Sequence, residues 1–336
     1  VTSGIVPLPA GTLIDPGTVT LVVIDPTNSQ VVFAEALTGL YKTTDGGRNW
    51  IETGGGLNAY PSGMGSAPFD QFVSAIVIDP QAPETVYVGA SGGVAKSTDG
   101  GNTWALLFQP PYLSSILWLV MDPTSSMTLY SGDDMGDVSK TTDGGTTWNA
   151  IGATTFGSNI VQSLVVDPFT PDTLIASTST GMGPIGGPPP TLGLWKSTDG
   201  GATWASATNG FPGGPLAADP NTQDVFYGAA IQGVWKTEDG GQTWAKIAPQ
   251  NASQVIVDPT NSLVLYSTYA FPGSGVMKSK DGGATWATID IGLPSFPSSS
   301  PATPDTVSWL AIDPKYTYVL YAATGQGVYG TTSGGE

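Results

Sequence analysis

The chain has 336 residues, of which 27 are acidic and ten basic, giving a net charge of −17 and a pI near 4.1. It contains no Cys and no His, which removes disulfides, thiolate nucleophiles, Ser-His-Asp catalysis and Cys- or His-ligated metals. So acidic a chain repels nucleic acid and anionic lipid, and no apolar run reaches the ~18 residues that a bilayer span requires.

The chain opens on Val1 rather than Met, without a signal peptide, and so reads as processed or excerpted. Its first element is an orphan apolar piece, Ile5-Val6-Pro7-Leu8. A repeat follows. KTTDGGRNW at 42–50 returns as KSTDGGNTW at 96–104, KTTDGGTTW at 140–148, KSTDGGATW at 196–204, KTEDGGQTW at 236–244 and KSKDGGATW at 278–286. A seventh, decayed copy is GTTSGGE at 330–336. Ahead of each copy an apolar run ends in Asp-Pro, at Asp25, Asp79, Asp122, Asp167, Asp219, Asp258 and Asp313. The mean period of 48 residues lies in the range of propeller repeats.

Each unit reads as four short strands, A to D. In the second unit these are Val73–Ile78, Thr85–Gly89, Val94–Ser97 and a strand starting at Thr103-Trp104. The runs are β-branched and aromatic, bounded by Gly, Pro, Asn and Asp. Strand A is apolar at successive positions, as an inner strand buried on both faces must be. With Gly at 46 and Pro at 28 residues, and no helical periodicity, the prediction is one all-β, seven-bladed β-propeller over residues 1–336. The last unit stops short of its strand D. Residues ~3–8 supply that strand and close the ring, or they pair with another subunit.

The box forms the C–D turn. A short Asp side chain accepts bonds from turn amides and Gly provides the φ > 0 positions. This assigns Asp45, Asp99, Asp143, Asp199, Asp239 and Asp281 to structure. Trp50, Trp104, Trp148, Trp204, Trp244 and Trp286 are expected to bury between blades, each contributing at most roughly 4–6 kcal/mol.

These boxes resemble the Asp-box (BNR) repeat, Ser/Thr-x-Asp-x-Gly-x-Thr-Trp, of sialidases and related propellers, over all seven units. The resemblance implies the propeller fold but not one function, because its members include hydrolases, receptors and assembly factors. Sialidases of this type grip a substrate carboxylate with three arginines. Here only Arg48 exists, inside a box, and an Arg-Ile-Pro motif is missing, so sialidase activity is not expected. The repeats look more like the two-propeller xyloglucan-degrading glycosidases, but one propeller supplies half of such a cleft. The basic patch of the photosystem II assembly-factor propeller is not evident.

Strand direction alternates, so A–B turns and C–D boxes share one rim, while B–C and D–A connections share the other. The long segments fall on that second rim: Glu52–Gln71, Ser177–Leu192 and Asp290–Asp305. Loops of this length are often functional. There, Trp118, Trp309 and Tyr60 are candidate ligand-binding residues. The two tryptophans lie four residues before their Asp-Pro aspartates, near the channel mouth, where they either stack on a sugar or pack between blades. Asp133, Asp134 and Asp137 are candidate ligands for Ca2+, or simply a solvated acidic loop. Asp70 and Asp305 complete the acid–base equipment near this rim. Asn251-Ala252-Ser253 matches an N-glycosylation sequon. No cofactor is otherwise expected. The combined expectation is a non-catalytic interaction or structural propeller, extracellular, cell-surface or periplasmic, presenting loops to a protein or glycan partner or self-assembling. The alternative is a carbohydrate-binding or xyloglucanase-like glycoside hydrolase domain using loop-rim carboxylates.

Overall fold

A computed structural model describes residues 6–7, 18–55, 57, 72–111, 114–152, 156–157, 159–180, 192–207, 210–269, 275–289 and 307–335. Seven sheets of four antiparallel strands form a ring, with no α-helix among the described residues. Each sheet runs in the order A-B-C-D, from hairpin to hairpin. The A strands pack on one another around the centre, and the last of them, Val307–Ile312, packs on the first, Val19–Ile24. In the seventh sheet the outer strand is Val6–Pro7, antiparallel to Gly327–Thr331 with Val6 opposite Gly330 and Pro7 opposite Tyr329.

The core lies between blades. Strand B is wholly buried in blades 1, 2, 4, 5 and 7, as in Val32–Ala36 and Val86–Ala90. Its Val, Leu, Phe and Tyr side chains fill the gap to the neighbouring sheet. Outer strands D are mostly two residues long and exposed, which leaves little edge for unwanted pairing. In blade 2 the outer strand begins at Ala105, after the tryptophan, because the Thr103 amide is still bonded to the box carboxylate. In blade 4 strand B runs on to Ser179, so the connection there starts later than the predicted Ser177.

The boxes build the outer rim. In blade 2, Asp99 Oδ1 accepts from Ser97 Oγ at 2.7 Å and from the Thr103 amide at 2.9 Å, while Oδ2 accepts from Thr103 Oγ1 at 2.6 Å. Gly100 and Gly101 take φ of +70° and +93° to close the loop. The same pattern recurs at Asp45, Asp143, Asp199, Asp239 and Asp281. The hydroxyl or amide side chain four residues on, then the backbone amide beside it, holds all six carboxyls down at about 2. Their folded values lie below the unfolded one. Their stabilisation is therefore complete above about 4 and is lost as pH falls toward 2.

The box lysines link the blades. Lys42 Nζ donates to the Gly100 carbonyl at 2.8 Å, Lys96 to Gly144 at 3.2 Å, Lys140 to Gly200 at 3.2 Å, Lys196 to Gly240 at 2.7 Å and Lys278 to Gly334 at 3.0 Å. Each clasp runs from one blade to the next box. Five of the six ammonium groups also lie over a strand-B ring, as Lys96 does over Tyr87 at 4.9 Å. For Lys236 an ion pair replaces the clasp: Glu238, where the other boxes have Thr or Lys, captures it at 2.6 Å. In blade 7, where Gly330 replaces the lysine, the Tyr321 hydroxyl reaches the Gly46 carbonyl at 3.3 Å.

The tryptophans are less buried than the sequence predicts. Trp50 and Trp244 are buried, but Trp104, Trp148, Trp204 and Trp286 are only partly so. They sit at the outer rim, where one side of each indole has no further strand to cover it. They still lean on the preceding blade. Trp104 Nε1 donates to the Thr53 carbonyl at 2.8 Å, and Trp286 Nε1 to Ile247 at 3.3 Å.

Candidate functional site

All seven Asp-Pro aspartates make the A–B turn. Asp25 Oδ1, for example, accepts from the Thr27 amide at 2.7 Å and the Thr27 hydroxyl at 2.8 Å, and the other six accept from the amide two residues on. With the six box aspartates, thirteen carboxylates are therefore used in turns of one rim. A cleft of about 660 Å³ opens there between blades 5 and 6, lined by Lys236, Trp244, Lys246 and Asp281 among others.

The opposite face carries the B–C and D–A connections. Trp118 and Trp309 meet there, from blades 3 and 7, with ring centroids 6.1 Å apart and planes tilted by 47°. Each follows a register shift in its inner strand, between Ile116 and Trp118 and between Val307 and Trp309. Such bulges re-aim a side chain. Trp309 packs on the Leu21 cluster of blades 1 and 2, and Trp118 on the blade 4 cluster around Val161. Both rings remain partly exposed. Packing and exposure are thus combined in one pair. At the same position Gln254 does something else. Its side-chain amide accepts from the Leu310 amide at 2.8 Å and donates to the Leu310 carbonyl at 3.1 Å, bracing blade 6 against blade 7.

Asp133 is buried and organises its own loop. Oδ1 accepts from the Met135 amide at 3.0 Å and the Asp137 amide at 2.7 Å, and Oδ2 accepts from Ser114 Oγ. Asp134 accepts from the Ser115 amide at 3.0 Å. Burial, then the neighbouring Asp133 charge, raises the Asp137 carboxyl. Among the described residues, no three acidic side chains converge as a metal-binding group. Asn251 of the sequon is half-buried beside buried Ala252. Tyr60, Asp70 and Asp305, with most of the segments 52–71 and 290–305 and the stretch 183–190, lie outside the described residues.

One carboxyl was not singled out by the sequence. Glu35, in strand B of blade 1, is 1% exposed. The B–C register puts Gly89, Gly132, Ser177, Ala229, Thr268 and Ala323 at its position in the other blades. Its Oε1 accepts from the Val73 amide of blade 2 at 3.1 Å, and Oε2 has no partner. Burial pushes the carboxyl up to about 8, against a smaller downward pull from the Val73 amide. Glu35 is therefore neutral at pH 7 and adds no charge to this face.

No protein-family model matches the chain, and no curated protein sequence does. Solved structures do. The GH74 xyloglucanase of Xanthomonas campestris superposes with a TM-score of 0.72 at 20% identity, covering 99% of this chain and 54% of that one. YCF48 bound to D1 peptide gives 0.64 at 13%, covering 97% of each. The extracellular domain of the putative one-component system BT4673 of B. thetaiotaomicron gives 0.68 at 9%, covering 98% and 40%. These identities show the seven-bladed fold alone. The chain spans about half the length of the GH74 enzymes it matches.

Proposed function

We propose that the chain is a non-catalytic interaction propeller of the Asp-box type, placed outside the cell, on its surface or in the periplasm. It presents the B–C/D–A face to a protein or glycan partner. The observation that carries this reading is the division of labour between the rims. The repeated aspartates and lysines of one rim are taken up by turns and clasps, whereas the other offers a partly exposed indole pair at the channel mouth. The extracellular domains among its structural neighbours agree with export.

Carbohydrate binding, or xyloglucanase-like hydrolysis through loop-rim carboxylates, is a second reading, favoured by the indole pair and the superposition on GH74 enzymes. Incubation with xyloglucan separates the two. No reducing sugar is expected; release that disappears in Trp118→Ala and Trp309→Ala, both still folded by circular dichroism, establishes the second reading instead.

A further inference from the structure

The two faces differ in charge type as well as in loop length. The six box lysines, Arg48 and Lys280 lie in boxes, Lys246 lies on strand D directly after one, and Lys315 lies in an A–B turn. No basic residue falls in any B–C or D–A connection. Those connections hold Asp134 and Asp137, both partly exposed, and by sequence Asp70, Asp290 and Asp305.

The same face exposes aliphatic side chains at hairpin apices. Leu37 is 55% exposed and Ile231 82%, each in a two-residue B–C turn closed by Gly39 or Gly233. Blades 2 and 7 carry Ser91 and Gly325 at that place, the residue types that turns ordinarily use. Met135 in the acidic loop is 48% exposed, and Phe72 beside blade 2 is 46% exposed. Apolar tips set among unopposed carboxylates suit one class of partner.

We propose that the B–C/D–A face docks a cationic amphipathic protein segment, in which lysines or arginines alternate with aliphatic side chains. This rests on the reading of that face as the working one and names its partner. Charge complementarity steers and selects such a segment, and the apolar tips supply anchoring area. A second copy of the chain is a poorer occupant. Five of its box lysines are bound to carbonyls and the sixth to Glu238, amid thirteen turn aspartates. A neutral glycan uses neither the charge nor the aliphatic apices.

The test titrates the full chain with a twelve-residue peptide of alternating Lys and Leu, and with its Glu/Leu counterpart. The expected result is salt-sensitive binding of the first only. Affinity falls about tenfold in Leu37→Ser/Ile231→Ser and again in Asp134→Asn/Asp137→Asn, but stays unchanged in Phe169→Ser on the opposite rim. Equal affinity of all variants, or equal binding of both peptides, overturns the proposal. So does binding of a neutral β-glucan oligosaccharide that is lost in Trp118→Ala while the peptide binds nowhere; that outcome keeps the working face and replaces its partner. Concentration-dependent stacking of the chain abolished by Ile231→Ser overturns it in favour of a second copy. Peptide binding lost only in Phe169→Ser overturns the working-face reading as well.

Discussion

Replacing Glu35 by Gln is expected to flatten the pH dependence of stability between about 4.5 and 8. In the folded chain the Glu35 carboxyl is buried and its pKa lies near 8, against an ordinary value of 4.5. A folded value raised above the unfolded one means that folding retains a proton. The neutral carboxyl's full stability is present below 4.5 and is lost as pH rises through 8. At about 1.36 kcal/mol per pH unit, the whole span is worth roughly 4–5 kcal/mol, a large share of the stability of any domain. Gln keeps an oxygen for the Val73 amide and has no proton to lose. Melting curves recorded from pH 4 to 9 should therefore diverge, with Glu35→Gln gaining steadily on the parent chain as pH rises. Parallel curves would show that Glu35 is ionised in the fold and solvated by something else. The cost of such a residue, at a position that six other blades fill with Gly, Ser, Ala or Thr, is what marks the seam between blades 1 and 2 as special.

The second large effect concerns the glycines that open strand C. Gly233 has φ +132°, and a Cβ there would lie 1.8 Å from the Ala248 carbonyl oxygen. Gly327 holds the matching position in blade 7 with φ +117° but open space around it. Gly327→Ala tests the backbone conformation alone and should cost about 1–2 kcal/mol. Gly233→Ala adds a collision with main chain that no side-chain rotation relieves, and about 3 kcal/mol or more is expected. Chemical denaturation of the two variants side by side reads the difference. Equal costs would mean that the strand-C opening and the Ala248 backbone are not in contact. The collision bears on function too, because Ile231 and Gln232 form the apex directly before Gly233.

Much of the architecture is written in local signals. Box and Asp-Pro spacings are enough to place seven hairpin pairs, and strand A of blade 2 was predicted at Val73–Ile78, the bounds observed. The role of the box aspartates follows from the chemistry of short acceptors in turns. Other features are long-range, and a single unit does not display them. The lysine that opens a box is visible in six of the seven copies, yet for five of them the acceptor lies in the next blade, 44 to 60 residues away. Trp118 and Trp309 are 191 positions apart, and only the closed ring brings them together. Glu35 had a readable signal, a charge in the apolar run Val32–Ala36 whose counterpart in blade 2 is Val86–Ala90. The exposed apices at Leu37 and Ile231 likewise stand where turn chemistry favours polar residues.

Asp99→Ala tests the separation of a structural rim from a working face most directly. Thermal melting and affinity for the lysine–leucine peptide are measured on the same samples. That separation predicts a lower melting temperature, because six box hydrogen-bonding sets become five, with affinity per folded molecule unchanged. An unchanged melting temperature with binding abolished would place the ligand among the boxes and contradict it.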